Sequence, residues 1–159
     1  MRPASWLHVL GLLLATSAIA AEPQDFLRLY AEQAQREDPA FQGFSAERGR
    51  AFYLQPHAVE NEGTFSCASC HHPDPRKATE AHRDQIPCRA CHVLFSSQPE
   101  SHRPTRRHIP PFAPGANPER FTSEWKVEHF FGYNCTLLLK RPCTAQEKGD
   151  LITWLLTVQ

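Results

Sequence analysis

The pattern Cys67-Ala68-Ser69-Cys70-His71 returns in outline as Cys88-Arg89-Ala90-Cys91-His92, and this pair constrains the chain more than any other feature. Two cysteines separated by two residues and followed at once by histidine are what covalent haem attachment requires. The thiols bond the porphyrin edge and the imidazole reaches the iron from one side. Either CxxC could instead act as a redox dithiol, and Cys67, Cys70, Cys88 and Cys91 together have acceptable spacing for a structural zinc site. The histidine that directly follows both pairs favours haem. The chain is therefore expected to carry two covalent haems c, with His71 and His92 as iron ligands.

Residues 1–21 read as a secretory signal. Arg2 supplies a basic start, Trp6 to Ile19 are mostly apolar, and Ala18-Ile19-Ala20 offers a small-residue cleavage site. This run is too short, and too promptly followed by polar sequence, to favour a permanent membrane helix, although an uncleaved copy would serve as a tether. Export to the periplasm suits the cysteines, because disulfides persist there. Residues 22–159 are then expected to form one domain. Lys plus Arg and Asp plus Glu balance at 17 each, so no global charge points to nucleic acid. The cluster Arg103, Arg106 and Arg107 lacks interleaved aromatics and reads as a solvated face or as a partner for carboxylates or haem propionates. With 14 prolines the chain can build only a small core. The haems would supply the missing apolar bodies, which couples folding to cofactor insertion.

Helical spacing of Phe26, Leu27, Tyr30, Ala31 and Ala34 predicts a first helix over 24–36. Asp38-Pro39 and Gly43 interrupt it, and Ser45 can cap a second helix reaching about Leu54. Gly49 inside that helix marks a close backbone or cofactor contact. Residues 55–65 read as loop, with His57 a polar loop residue and Phe65 placed to lean on a porphyrin. A short helix over 67–71 would present both thiols and the imidazole on one side. Residues 72–118 read as loops around cofactors, helical only near 79–82 and 88–95. Thr122 or Ser123 opens a third helix that ends near Gly132, leaving Tyr133-Asn134-Cys135 in a loop. Thr144 with Glu147 forms a capping box before a final helix marked by Leu151, Trp154, Leu155 and Val158. The expected class is all-α. Cys135 and Cys143 remain, and a local disulfide is the simplest reading, with two buried thiols as the alternative.

Several stretches together resemble a specific family: Ala46-Glu47-Arg48-Gly49-Arg50-Ala51-Phe52, the first CxxCH, Ile109-Pro110-Pro111-Phe112-Ala113-Pro114, Pro118-Glu119-Arg120-Phe121-Thr122, Val127-Glu128, Asn134-Cys135, and Cys143-Thr144-Ala145-Gln146-Glu147-Lys148. The chain is similar to the sphaeroides haem protein family (DUF1924), which are small class I-like cytochromes c. The resemblance implies that His71 and Asn134 ligate the first haem from opposite sides and that Cys135 and Cys143 are bridged. It also implies that the asparagine leaves on reduction, opening a position for O2, NO or CO. Residues in that role could instead be a helix C-cap or a turn. The usual member carries one haem, so an insertion of roughly 20 residues at about 83–102, containing Cys88, Cys91 and His92, implies a dihaem variant with fast exchange across a short tether. For the second haem's sixth ligand, His82 and His102 rank nearly equal, followed by His108; His72 is badly directed. Thr105-Arg106-Arg107 also departs from the family's Thr-Gly-Lys stretch. The expected function is periplasmic electron transfer with another cytochrome, soluble or membrane-bound and of b or c type, plus small-gas binding. The alternatives are a haem oxidoreductase acting on NO, O2 or peroxide, and a zinc or sensor module. The enzyme ranks lower because no acid-base pair accompanies Asn134.

Overall fold

A computed structural model describes residues 21–59, 63–80 and 108–159. Helix α1 spans Pro23–Glu37, with proline in its first turn and reciprocal Glu22 and Asp25 caps. It buries Phe26, Tyr30 and Ala34, one residue per turn, which is the stripe expected of an amphipathic helix. Helix α2 spans Ala46–Leu54, and the Ser45 hydroxyl accepts from the Arg48 amide at 3.2 Å, as an N-cap should. The last helix, α5, spans Ala145–Thr157. Its Thr144 hydroxyl accepts from the Glu147 amide at 3.1 Å, and the Glu147 carboxylate accepts from the Thr144 amide at 2.8 Å.

Helices α1 and α2 both pack on α5, around Leu151, Ile152, Trp154 and Leu155. At Gly49 the backbones of α2 and α5 meet directly, since a Cβ there would lie 2.0 Å from the Asp150 carbonyl oxygen. The glycine therefore serves a backbone contact. The Asp150 carboxylate, 3 % exposed, locks the same crossing by accepting from the Ser45 amide at 2.6 Å, from Arg48 Nε at 2.7 Å and from Gln146 Nε2 at 2.9 Å. A buried carboxylate with that many donors is compensated for its desolvation.

Three local expectations are corrected. Residues 55–65 are not all loop: β1, His57–Val59, pairs antiparallel with β2, Gly63–Phe65, in the register His57↔Phe65, Ala58↔Thr64 and Val59↔Gly63. Thr79 does not start a helical turn. Strand β3, Thr79–Glu80, pairs antiparallel with β4, His108–Ile109, joining the two ends of the segment between them. The third long helix, α4, spans Glu124–Leu139 and runs through Gly132 to a left-handed Lys140 cap. A mid-helix glycine costs about 1 kcal/mol, but Leu137 and Leu138 beyond it pack on buried Val59 and Phe65, and Cys135 beyond it is bridged. Among the described residues the fold is mostly helical, with two short antiparallel ladders beside the helices. Among the described residues no helix is long and apolar enough to cross a membrane.

The expectations for residues 1–20, which contain most of the signal segment, and for 81–107 lie outside the described residues. The second group includes the helical turn at 88–95, the inserted Cys88, Cys91 and His92, His82, His102, and the arginine cluster.

Candidate haem site

One turn of helix, α3, spans Ala68–His71 and carries the first CxxCH. The Ser69 hydroxyl accepts from the Ser66 amide at 2.9 Å, and the Ser69 amide donates to the Ser66 carbonyl at 3.1 Å, so the serines shape the entry to the turn. The amides of Cys70 and His71 donate back to the Cys67 carbonyl at 3.2 and 3.0 Å. Cys67, Cys70 and His71 are thereby brought onto one turn, as the spacing required.

The turn ends where His72 adopts φ 67°. Two carbonyls are exposed by that ending, and the fully buried Tyr53 hydroxyl shares its proton between them, 3.0 Å from the His71 oxygen and 2.7 Å from the His72 oxygen. Burial raises the Tyr53 phenol well above its ordinary range, reinforced by the neighbouring Cys67. The hydroxyl therefore stays a donor at any physiological pH.

Behind the turn stands the ring of Phe112. His71 stacks on it with centroids 4.5 Å apart and planes 20° from parallel, and Tyr53 stacks on it at 6.0 Å. The amides of Phe112 and Ala113 donate to the Pro75 carbonyl at 2.8 and 2.9 Å, which pins the Pro110-Pro111-Phe112 segment against the chain that leaves the motif. The Arg120 guanidinium carbon lies 5.5 Å from the Phe112 centroid. Nε of Arg120 donates to the Pro111 carbonyl at 3.0 Å and Nη2 to the Pro110 carbonyl at 3.1 Å.

Burial, and secondarily the Arg120 charge, push the His71 imidazole down to about 4. It is neutral near pH 7, the form that binds a metal. Its Nδ1 is buried without a hydrogen-bond partner. Burial pushes the Cys67 thiol up to about 11. Two cysteines and a neutral imidazole on one turn, with an orphaned ring nitrogen behind, fit a covalently attached haem. Among the described residues no three His, Cys, Asp or Glu side chains converge as a metal site, and Cys88 and Cys91, which a zinc reading of the motif needs, lie outside them.

Asn134 stands half-buried on α4, neither at a cap nor in a turn. The next residue, Cys135, is bridged to Cys143 with Cα atoms 5.5 Å apart. Leu137 and Leu138, one turn further on, pack on the β1–β2 hairpin, and β2 leads through Ser66 straight into Cys67. The remaining histidines differ in setting. His57 lies on β1 with its ring 6.5 Å from Phe52. The Nδ1 of His72 accepts from the Asp74 amide at 2.9 Å, and His108 is exposed on β4. Sequence reasoning missed Tyr53, Phe112 and Arg120 as site residues. The last two fall inside stretches that carry the family resemblance, but only the fold brings them to His71.

The DUF1924 profile, described as a domain of unknown function, matches residues 39–85 and 75–155. The cytochrome c-type protein SHP of Cereibacter sphaeroides is 31% identical over 147 residues, spanning 92% of this chain and 94% of that protein. Cytochrome c'' of Methylophilus methylotrophus is 26% identical over 151 residues, with 94% and 90% covered. Among solved structures, oxidized cytochrome c'' aligns with a TM-score of 0.66 at 26% identity, covering 86% of this chain and 94% of that one. Oxidized SHP, described as an oxygen binding cytochrome c, aligns with a TM-score of 0.62 at 28% identity, covering 87% and 98%.

Proposed function

The chain belongs to the DUF1924 group of small c-type cytochromes that includes SHP and cytochrome c'', and from that premise we propose that it is a periplasmic dihaem electron carrier whose first haem also binds small gases. Cys67, Cys70 and His71 hold the first haem, and Cys88, Cys91 and His92 the second. The observation that carries the reading is the α3 turn, where both cysteines accompany a half-buried, neutral imidazole stacked on Phe112. A haem bound there supplies one-electron chemistry and, once a weak sixth ligand leaves, an open position for O2, NO or CO.

Asn134 would be that weak ligand. Its amide oxygen is neutral and weakly donating, so it holds the oxidised state better than the reduced one. The Cys135–Cys143 bridge and the packing of Leu137 and Leu138 hold the helical turn that bears it. The second haem takes His82 or His102, with His108 third in order, and relays electrons across the short tether to the first. Its electron source is another cytochrome, of b or c type. The description of SHP as an oxygen binding cytochrome c supports the gas-binding part of this reading.

Intact mass and a pyridine haemochrome assay of the exported protein test the reading, followed by spectra of both oxidation states with and without NO. Two covalent haems, of which one binds NO after reduction, are expected. One haem removes the dihaem assignment. No covalent haem removes the whole reading.

A further inference from the structure

We propose that Arg120 is a positioning residue that raises the reduction potential of the haem held by His71, acting as a positive charge against the Phe112 ring on which that imidazole stacks. The inference rests on the reading of Cys67, Cys70 and His71 as a haem site.

Three observations carry it. The first is the absence of a neutralising partner among the described residues. Arg48, Arg76 and Arg141 each pair with a carboxylate, at 2.7, 2.9 and 2.6 Å. Half-buried Arg120 instead donates to two neutral carbonyls, those of Pro111 and Pro110, and among the described residues no carboxylate accompanies it. The second is position. The guanidinium lies 5.5 Å from the Phe112 centroid, and His71 stacks on the same ring at 4.5 Å. The surroundings are aromatic, with Phe121 6.0 Å and Tyr53 6.0 Å from Phe112, so water screens the charge weakly.

The third concerns the imidazole itself. A metal-bound histidine ordinarily donates its other ring N–H to a carbonyl or carboxylate, which makes the ring a stronger donor and favours the oxidised metal. Here the Pro111 carbonyl is taken by Arg120 at 3.0 Å and by Asn117 Nδ2 at 3.2 Å, and His71 Nδ1 is buried with no hydrogen-bond partner among the described residues. Arg120 therefore favours the reduced haem by its charge, beside an imidazole that no hydrogen bond strengthens. An unneutralised charge one aromatic ring away is worth on the order of tenfold in the reduction equilibrium, which is about 59 mV for one electron.

The test is a spectroelectrochemical titration of the holoprotein and of R120Q, R120M and R120K, with haem content measured on every sample. R120Q is expected to lower one of the two midpoints by about tenfold in equilibrium constant, to leave the other in place, and to keep the same coordination spectra. R120M is the second neutral variant and retains an apolar stem over Phe112. R120K keeps the charge and most of the potential. Equal shifts in R120K and the neutral variants, or no shift in any of them, overturn the proposal. If only R120K accumulates, a tenfold drop in that variant overturns it as well. Haem present with an unmoved midpoint removes the role of Arg120 alone, whereas absence of covalent haem from the unaltered protein removes the site reading.

Discussion

Asn134 occupies a position that local structure does not explain. Asparagine is a poor helix former whose usual places are caps and turns, yet α4 continues for five residues beyond it to Leu139 and is capped by Lys140. Replacing it by alanine removes that local mismatch, so the Asn134→Ala protein is expected to be as stable as the original or more so by a few tenths of a kcal/mol. The ligand role would be lost in the same variant. Magnetic circular dichroism and EPR of the oxidised protein should then show one haem turned five-coordinate and the other unchanged, while thermal melting stays level. Unaltered spectra in a fully loaded variant would remove Asn134 from the iron. Nothing in the periodicity of the sequence singled this residue out, since the spacing around Gly132 pointed to a helix end and a loop. Resemblance to a family, through the pair Asn134-Cys135, was the only signal.

At the level of elements, the helices with local stop and start signals were legible. The Ser45 cap, the Thr144–Glu147 capping box and the Phe26–Tyr30–Ala34 stripe all correspond to ends and faces in the structure. What escaped was decided by contacts between distant residues. The β1–β2 hairpin is three residues long on each side, too short for an alternating pattern to register, and Val59 and Phe65 are buried through α4 rather than by one another alone. The same packing carries α4 past Gly132. Gly49 was legible as a close approach, though which neighbour it met was not. That neighbour is the backbone of α5 at Asp150, which cannot rotate away as a side chain would. A Gly49→Ala substitution improves helix propensity by about 1 kcal/mol and still should destabilise the protein by more than about 2 kcal/mol, because overpacking must separate α2 from α5. Urea unfolding of the holoprotein measures it. A midpoint unchanged or raised would mean that the crossing is looser than its geometry indicates.

On the scale of the whole molecule, the haem turn is not part of an independent unit. Tyr53 reaches it from α2, Phe112 and Arg120 from the segment before α4, and Trp154 of α5 lies 4.9 Å behind Tyr53. These residues are scattered over a hundred positions, which is why their convergence on His71 could not be seen in sequence. It also makes the protonation state of His71 a property of the whole fold. Burial holds its imidazole at about 4 against 6.5 in an exposed setting. Between those values the unfolded chain binds a proton that the folded chain excludes, so stability rises with pH across the window. The contribution is therefore complete above pH 6.5, fades as the pH falls and is gone below 4, and iron ligation of the same ring acts in the same direction because a proton competes with the metal. Thermal melting of the holoprotein from pH 7.5 down to 4, followed in the Soret band, should show a midpoint that is level above about 6.5 and declines steadily beneath it. A midpoint flat throughout would mean that folding of the haem-loaded protein excludes no proton from His71.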